Sequence, residues 1–95
     1  MNWTIHFRGQ EREIPEHMRQ GLTDYIERGV RPGDFLYYVL CNDLGRAVDH
    51  ADDVNFELVP WYVVWLFNRV PAGCHGSREN VEAWIAHHGK RGLTE

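Results

Sequence analysis

The sequence predicts a mainly α fold: a compact bundle of about five short helices, with an N-terminal β-strand or hairpin. Three observations lead there. Apolar residues recur at helical spacing in separate segments between residues 15 and 88. Pro, Gly, Ser, Asn and Asp stand at the junctions between those segments, where helices start and stop. Only residues 3–7 alternate strictly with period two, the signature of a strand. The chain is accordingly read as one domain over 1–95, with strand or hairpin at 3–14, bundle at 15–88 and tail at 89–95.

In the alternating segment, Trp3, Ile5 and Phe7 are apolar, with Thr4 and His6 between them. Gly9-Gln10 suits a two-residue type II′ turn, which prefers Gly first. Residues 11–14 then return, with Arg8 opposite Glu11, His6 opposite Glu13 and Ile5 opposite Ile14. The charges in that register are complementary. An isolated hairpin is marginal, so it must pack on helices or pair with another chain.

Pro15 opens the first helix, where its missing N–H costs nothing, and Glu16 suits the positive end of the dipole. Met18, Leu22, Tyr25 and Ile26 form its apolar face, and Gly29 is a natural C-terminal cap. After Pro32-Gly33-Asp34, Phe35, Leu36, Val39 and Leu40 make the next stripe. Asn42 or Asp43 caps a helix bearing Leu44, Ala47, Val48 and Ala51. Asp52 or Asp53 caps a fourth, apolar nearly all round from Leu58 to Phe67, a pattern that predicts a central helix. Pro60 either kinks this helix or starts it. Ser77 caps a last helix with Val81, Trp84, Ile85 and His88 on one face. Gly89 ends it, and Lys90 to Glu95 reads as a frayed tail.

Composition narrows the function. Apolar residues make up 43% of the 95, and the charged share is 25%, which places the chain among globular proteins rather than disordered ones. Four Trp, four Tyr and four Phe are more ring area than a small core easily hides, so some are expected on a binding surface. The net charge of −4, with scattered Lys and Arg, disfavours direct binding to nucleic acid. No basic n-region followed by an apolar run stands at residues 1–8. The longest apolar run, Trp61 to Phe67, is about a third of a bilayer span. These features read as a cytoplasmic protein without a membrane partner.

Candidate chemistry is sparse. Cys74, His75, His87 and His88 have the residue types of a zinc site, but each pair is adjacent, and adjacent residues on a helix diverge by about 100°. They read better as a packed thiol and helix-end or surface histidines, with no metal and no cofactor. Cys74 cannot easily meet His75 in a nucleophile geometry, and Ser77 lacks a nucleophile-elbow frame. The expectation is therefore no catalytic residue and no enzyme. Asp49, Asp52, Asp53 and Glu57 form the clearest charge cluster, followed directly by Trp61. They read either as a solvated helix junction with one Asp as cap, or as an acidic rim beside an aromatic anchor for a basic partner. Trp3, Ile5 and Phe7 are the candidates for strand pairing in a homodimer.

The ordered motifs also resemble a known group. They are Ile14-Pro15-Glu16-His17-Met18-Arg19 with Leu22, Tyr25-Ile26 and Gly29; Pro32-Gly33 with Phe35-Leu36, Val39-Leu40, Asn42-Asp43-Leu44, Ala47 and Ala51-Asp52; and Pro71, Gly73-Cys74, Gly76-Ser77, Glu79, Val81 and Trp84-Ile85. Over residues 14–88 the pattern is similar to that of short proteins encoded by bacteriophages and prophages. The resemblance brings no catalytic residue to carry over. It implies an accessory protein acting in the bacterial host cytoplasm, of the kind that often binds a host protein or complex and includes inhibitors of anti-phage defence (anti-CRISPR-like). The expected function is non-enzymatic binding of a host protein. The alternatives are a self-associating phage structural or accessory protein, and a small metal-binding protein built on Cys74 and its histidines.

Overall fold

A computed structural model describes residues 2–93. The element order is β1 (Thr4–Phe7), β2 (Gln10–Glu13), α1 (Glu16–Arg28), α2 (Asp34–Leu40), α3 (Leu44–His50), α4 (Asp53–Arg69), a 3-10 turn (Ala72–Cys74), α5 (Arg78–Ala86) and α6 (Gly89–Leu93). The fold is mainly helical, with an N-terminal antiparallel hairpin.

The hairpin turns one residue earlier than the sequence suggests. Arg8 and Gly9, at φ 54° and 73°, form the two-residue loop. Positive φ at both positions is the type I′ pattern, whose twist matches that of the strands. Ile5 therefore faces Arg12 and His6 faces Glu11, in place of Ile14 and Glu13. Ile14 instead donates its N–H to the Trp3 carbonyl at 2.9 Å. This register sets Ile14, which is buried, beside Trp3 rather than beside Ile5. The shift in pairing is even, so Trp3, Ile5 and Phe7 keep one common side.

Helix α1 buries Leu22, Tyr25 and Ile26 and ends at Gly29 in the left-handed conformation, φ 69°. The Tyr25 hydroxyl donates to the Cys74 carbonyl at 2.6 Å, and the Trp84 indole donates to the Tyr25 carbonyl at 3.0 Å. These two bonds pin the 3-10 turn and α5 to α1. Helix α2 buries five of its seven residues, Phe35, Leu36, Tyr37, Val39 and Leu40. Asp43, Asp52 and Ser77 cap α3, α4 and α5, accepting from the N–H groups of Arg46, Asn55 and Asn80.

Residues 89–93 are helix rather than frayed tail; residues 94 and 95 lie outside the described residues. No apolar periodicity announces α6; a backbone approach holds it. A Cβ built on Gly89 would lie 2.6 Å from the Gly29 nitrogen, so the start of α6 meets the end of α1 only because both residues are glycine. Lys90 then reaches Glu27 at 3.7 Å. His88, expected on the apolar face of α5, instead follows that helix in a left-handed conformation, φ 61°, and is exposed.

Two further expectations change. Pro60 lies well inside α4 rather than at its start. Helix α4 is also not enclosed on all sides. It buries Asn55, Val59, Tyr62, Trp65 and Leu66, while Val54, Phe56, Val63 and Phe67 are exposed. In α3 only Ala47 is buried; Leu44 and Val48, expected on its inner stripe, are exposed. No helix among the described residues is long and apolar enough to cross a membrane.

Candidate functional site

The acidic residues singled out from the sequence divide between two tasks. Asp52 is the cap of α4: its carboxylate accepts from the Asn55 N–H at 2.7 Å and lies 3.7 Å from the His17 imidazole. Asp53 and Glu57 sit one turn apart on α4, with Trp61 a further turn on, and the three line a shallow groove of about 430 Å³ beside Arg12. The Arg12 guanidinium rests 5.2 Å over the Trp61 ring, and Phe7 meets that ring edge-on at 6.4 Å. Trp61 thus joins the hairpin to α4 and is half-buried. Asp49 sits on α3, exposed and outside this groove.

Trp3 and Ile5 of the strand candidates face inward, while Phe7 on the same side is 44% exposed. Trp3 stacks on Trp65 at 5.3 Å, Ile5 is buried, and Phe7 packs on Trp61. Backbone groups at and just before the start of the strand are engaged by side chains. The Trp65 indole donates to the Asn2 carbonyl at 2.8 Å, and Arg69 donates to the Thr4 carbonyl at 3.4 Å. The Thr4 N–H donates to the Asn2 side chain at 2.9 Å.

The thiols and the loop histidine are packed groups. Cys74 is fully buried, and burial pushes its thiol up to about 11; burial raises the Cys41 thiol as well. Reactive cysteines carry the opposite shift, because the thiolate is the nucleophile. His75 is 7% exposed, and burial lowers its pKa by disfavouring the cation. Its ring meets Phe67 edge-on at 5.1 Å. Among the described residues, no group of three His, Cys, Asp or Glu side chains is placed to hold a metal ion.

The surface that sequence reasoning missed is apolar. Leu44 and Val48 stand one turn apart on α3, 61% and 37% exposed. On α4, Phe56, Val63 and Phe67 are 56%, 36% and 73% exposed, with Pro60 in the same stripe. A narrow crevice lined by Leu44, Ala47, Val59 and Val63 connects the two helices. Beside it, Val39, Val63, Leu66, Phe67 and His75 line a cleft of about 140 Å³. Leu44 and Val63 share the crevice, and Val63 and Phe67 share the cleft, so these exposed apolar side chains are linked; a linked apolar patch is the kind of surface that marks an interaction site. The signal lay in the spacing. Residues 56, 60, 63 and 67 repeat the i, i+4, i+7, i+11 pattern of Asn55, Val59, Tyr62 and Leu66, one residue out of phase.

Compared with protein-family models, curated proteins and solved structures, the chain matches none of them.

Proposed function

We propose that this chain is a non-enzymatic binding protein that docks on a protein of a bacterial host. One observation carries the reading. Five large apolar side chains, Leu44, Val48, Phe56, Val63 and Phe67, are exposed on α3 and α4, and Leu44, Val63 and Phe67 are linked through a shared crevice and cleft. Leaving such side chains in water forgoes roughly 25 cal/mol for every Å² that a partner could cover. Aromatic rings such as Phe56 and Phe67 offer large contact area for the side-chain freedom lost on binding. The buried state of Cys41 and Cys74 is also that of packing groups rather than nucleophiles.

The sequence resemblance over residues 14–88 supplies the setting: a phage-encoded accessory protein in the host cytoplasm, with a defence complex as the specific target class. The test is affinity capture from bacterial lysates with and without anti-phage defence systems. The expected result is a stoichiometric host protein held by the wild-type chain and lost on Phe67→Ser. Recovery of no stoichiometric partner from any lysate would overturn the reading.

A further inference from the structure

We infer that the α3–α4 face receives one kind of occupant: an amphipathic helix of the partner whose apolar stripe is flanked by Lys or Arg. This deepens the binding reading above and rests on it. Shape gives the first argument. From Phe56 to Phe67 the exposed stripe runs about 16 Å, three helical turns, and α3 supplies a second wall through Leu44 and Ala47. A partner helix in such a groove presents anchors at i, i+3 or i+4, and i+7. The cleft of about 140 Å³ beside Val63, Phe67 and His75 has room for one aliphatic anchor.

Charge gives the second argument. From Asp49 to Asn68 the chain carries four carboxylates and no Lys or Arg. Around α4, Asp53 and Glu57 follow the apolar stripe by roughly 60° to 100°, on the side away from α3. Asp49, Asp53 and Glu57 make no ion pair or side-chain hydrogen bond among the described residues; Asp52 alone of the four is engaged, as a cap. The apolar face is therefore edged by carboxylates without an ion pair, with one cation, Arg12, in the same groove resting on Trp61; the carboxylates attract a cationic flank and reject an anionic one. A second copy of the chain would bring the same carboxylates and another net −4, so it fits this face less well than a basic partner does.

The probe is a synthetic helical peptide of about 18 residues, with Leu at i, i+4, i+7 and i+11 and Lys on both flanks. A counterpart carries Glu in place of Lys, and a third peptide scrambles the Lys sequence. Each is titrated into the full chain by calorimetry and by amide shifts. The Lys helix is expected to bind, to move the signals of Leu44, Val63 and Phe67, and to weaken with salt. The Glu and scrambled peptides should bind at least about ten-fold more weakly. Phe67→Ser should weaken the Lys helix about ten-fold, with its fold verified by circular dichroism. Asp53→Asn with Glu57→Gln should narrow the gap between the Lys and Glu peptides. Equal or absent binding of all three peptides overturns the inference, as do shifts confined to the hairpin. So does a concentration-dependent dimer that Phe67→Ser dissolves, which would make the occupant a second copy. In the lysate experiment, a partner retained by Phe67→Ser overturns this face and leaves the binding reading standing; no partner at all defeats the binding reading itself.

Discussion

On the inner side of α4, every polar group has a partner. The Tyr62 hydroxyl donates to the Asn55 side chain at 2.7 Å, and the Trp65 indole donates to the Asn2 carbonyl while its ring stacks on Trp3. On the outer side of the same helix, Phe56, Val63 and Phe67 reach into solvent. The more polar stripe is the buried one. The comparison shows that side-chain polarity alone does not decide which face of a helix goes inward. A buried Asn costs little once its oxygen and its amide are both engaged, and Asn55 reaches Tyr62, Met18 and Asp52. An apolar side chain can stay outside if another molecule covers it.

Breaking the inner face should have the largest effect. Trp65 is 1% exposed and joins α4 to the segment just before β1, through its ring on Trp3 and its N–H on the Asn2 carbonyl. Trp65→Ala should destabilise the fold by about 3–5 kcal/mol, read as the fall in the urea midpoint. A loss below about 1 kcal/mol would mean that the hairpin is not a working part of the core.

The buried Asn55–Tyr62 pair comes next. Asn55→Ala leaves the Tyr62 hydroxyl without its acceptor and should cost about 1–3 kcal/mol. Tyr62→Phe should cost less, and the double variant should cost less than the sum of the two, with a coupling of about 1 kcal/mol. Strict additivity in that cycle would show that the hydrogen bond does not fix the inner face.

Much of this architecture could be read from the sequence, for local reasons. Ser77, Asp52 and Gly29 act as caps because capping depends on a few neighbouring backbone groups. Asp53, Glu57 and Trp61 share a groove because their spacing is one helical turn at each step. The rest depended on contacts distant in sequence. Two stripes of equal spacing run along α4, and partners distant in sequence, on α1 and in the segment just before β1, select between them. Helix α6 has no periodic pattern and exists because Gly89 fits against Gly29. The hairpin turn was displaced because Arg8 accepts a positive φ that favours glycine.

The outer face should respond least in stability. Phe56→Ser and Phe67→Ser should each change the folding free energy by no more than about 0.5 kcal/mol, because rings this exposed lose little contact. Denaturation curves that match the wild type would sharpen the contrast between the two faces. A loss comparable to that of Asn55→Ala would show that the outer rings belong to the core.

The smallest effect lies where the two faces meet, at His75. Its burial keeps the imidazole neutral at a pH where a free histidine is partly charged, so its proton-NMR titration should have a midpoint below about 6.5. The unfolded chain then binds the proton first. The stability associated with His75 is full above about pH 6.5 and declines as the pH falls towards the folded midpoint. His75→Gln should flatten that part of the stability profile. Phe67 packs against the imidazole in a T-shaped contact, so Phe67→Ser should expose the ring and move the midpoint up towards the free value while leaving the denaturation curve at pH 8 unchanged. An unmoved midpoint would show that the outer ring does not shield His75.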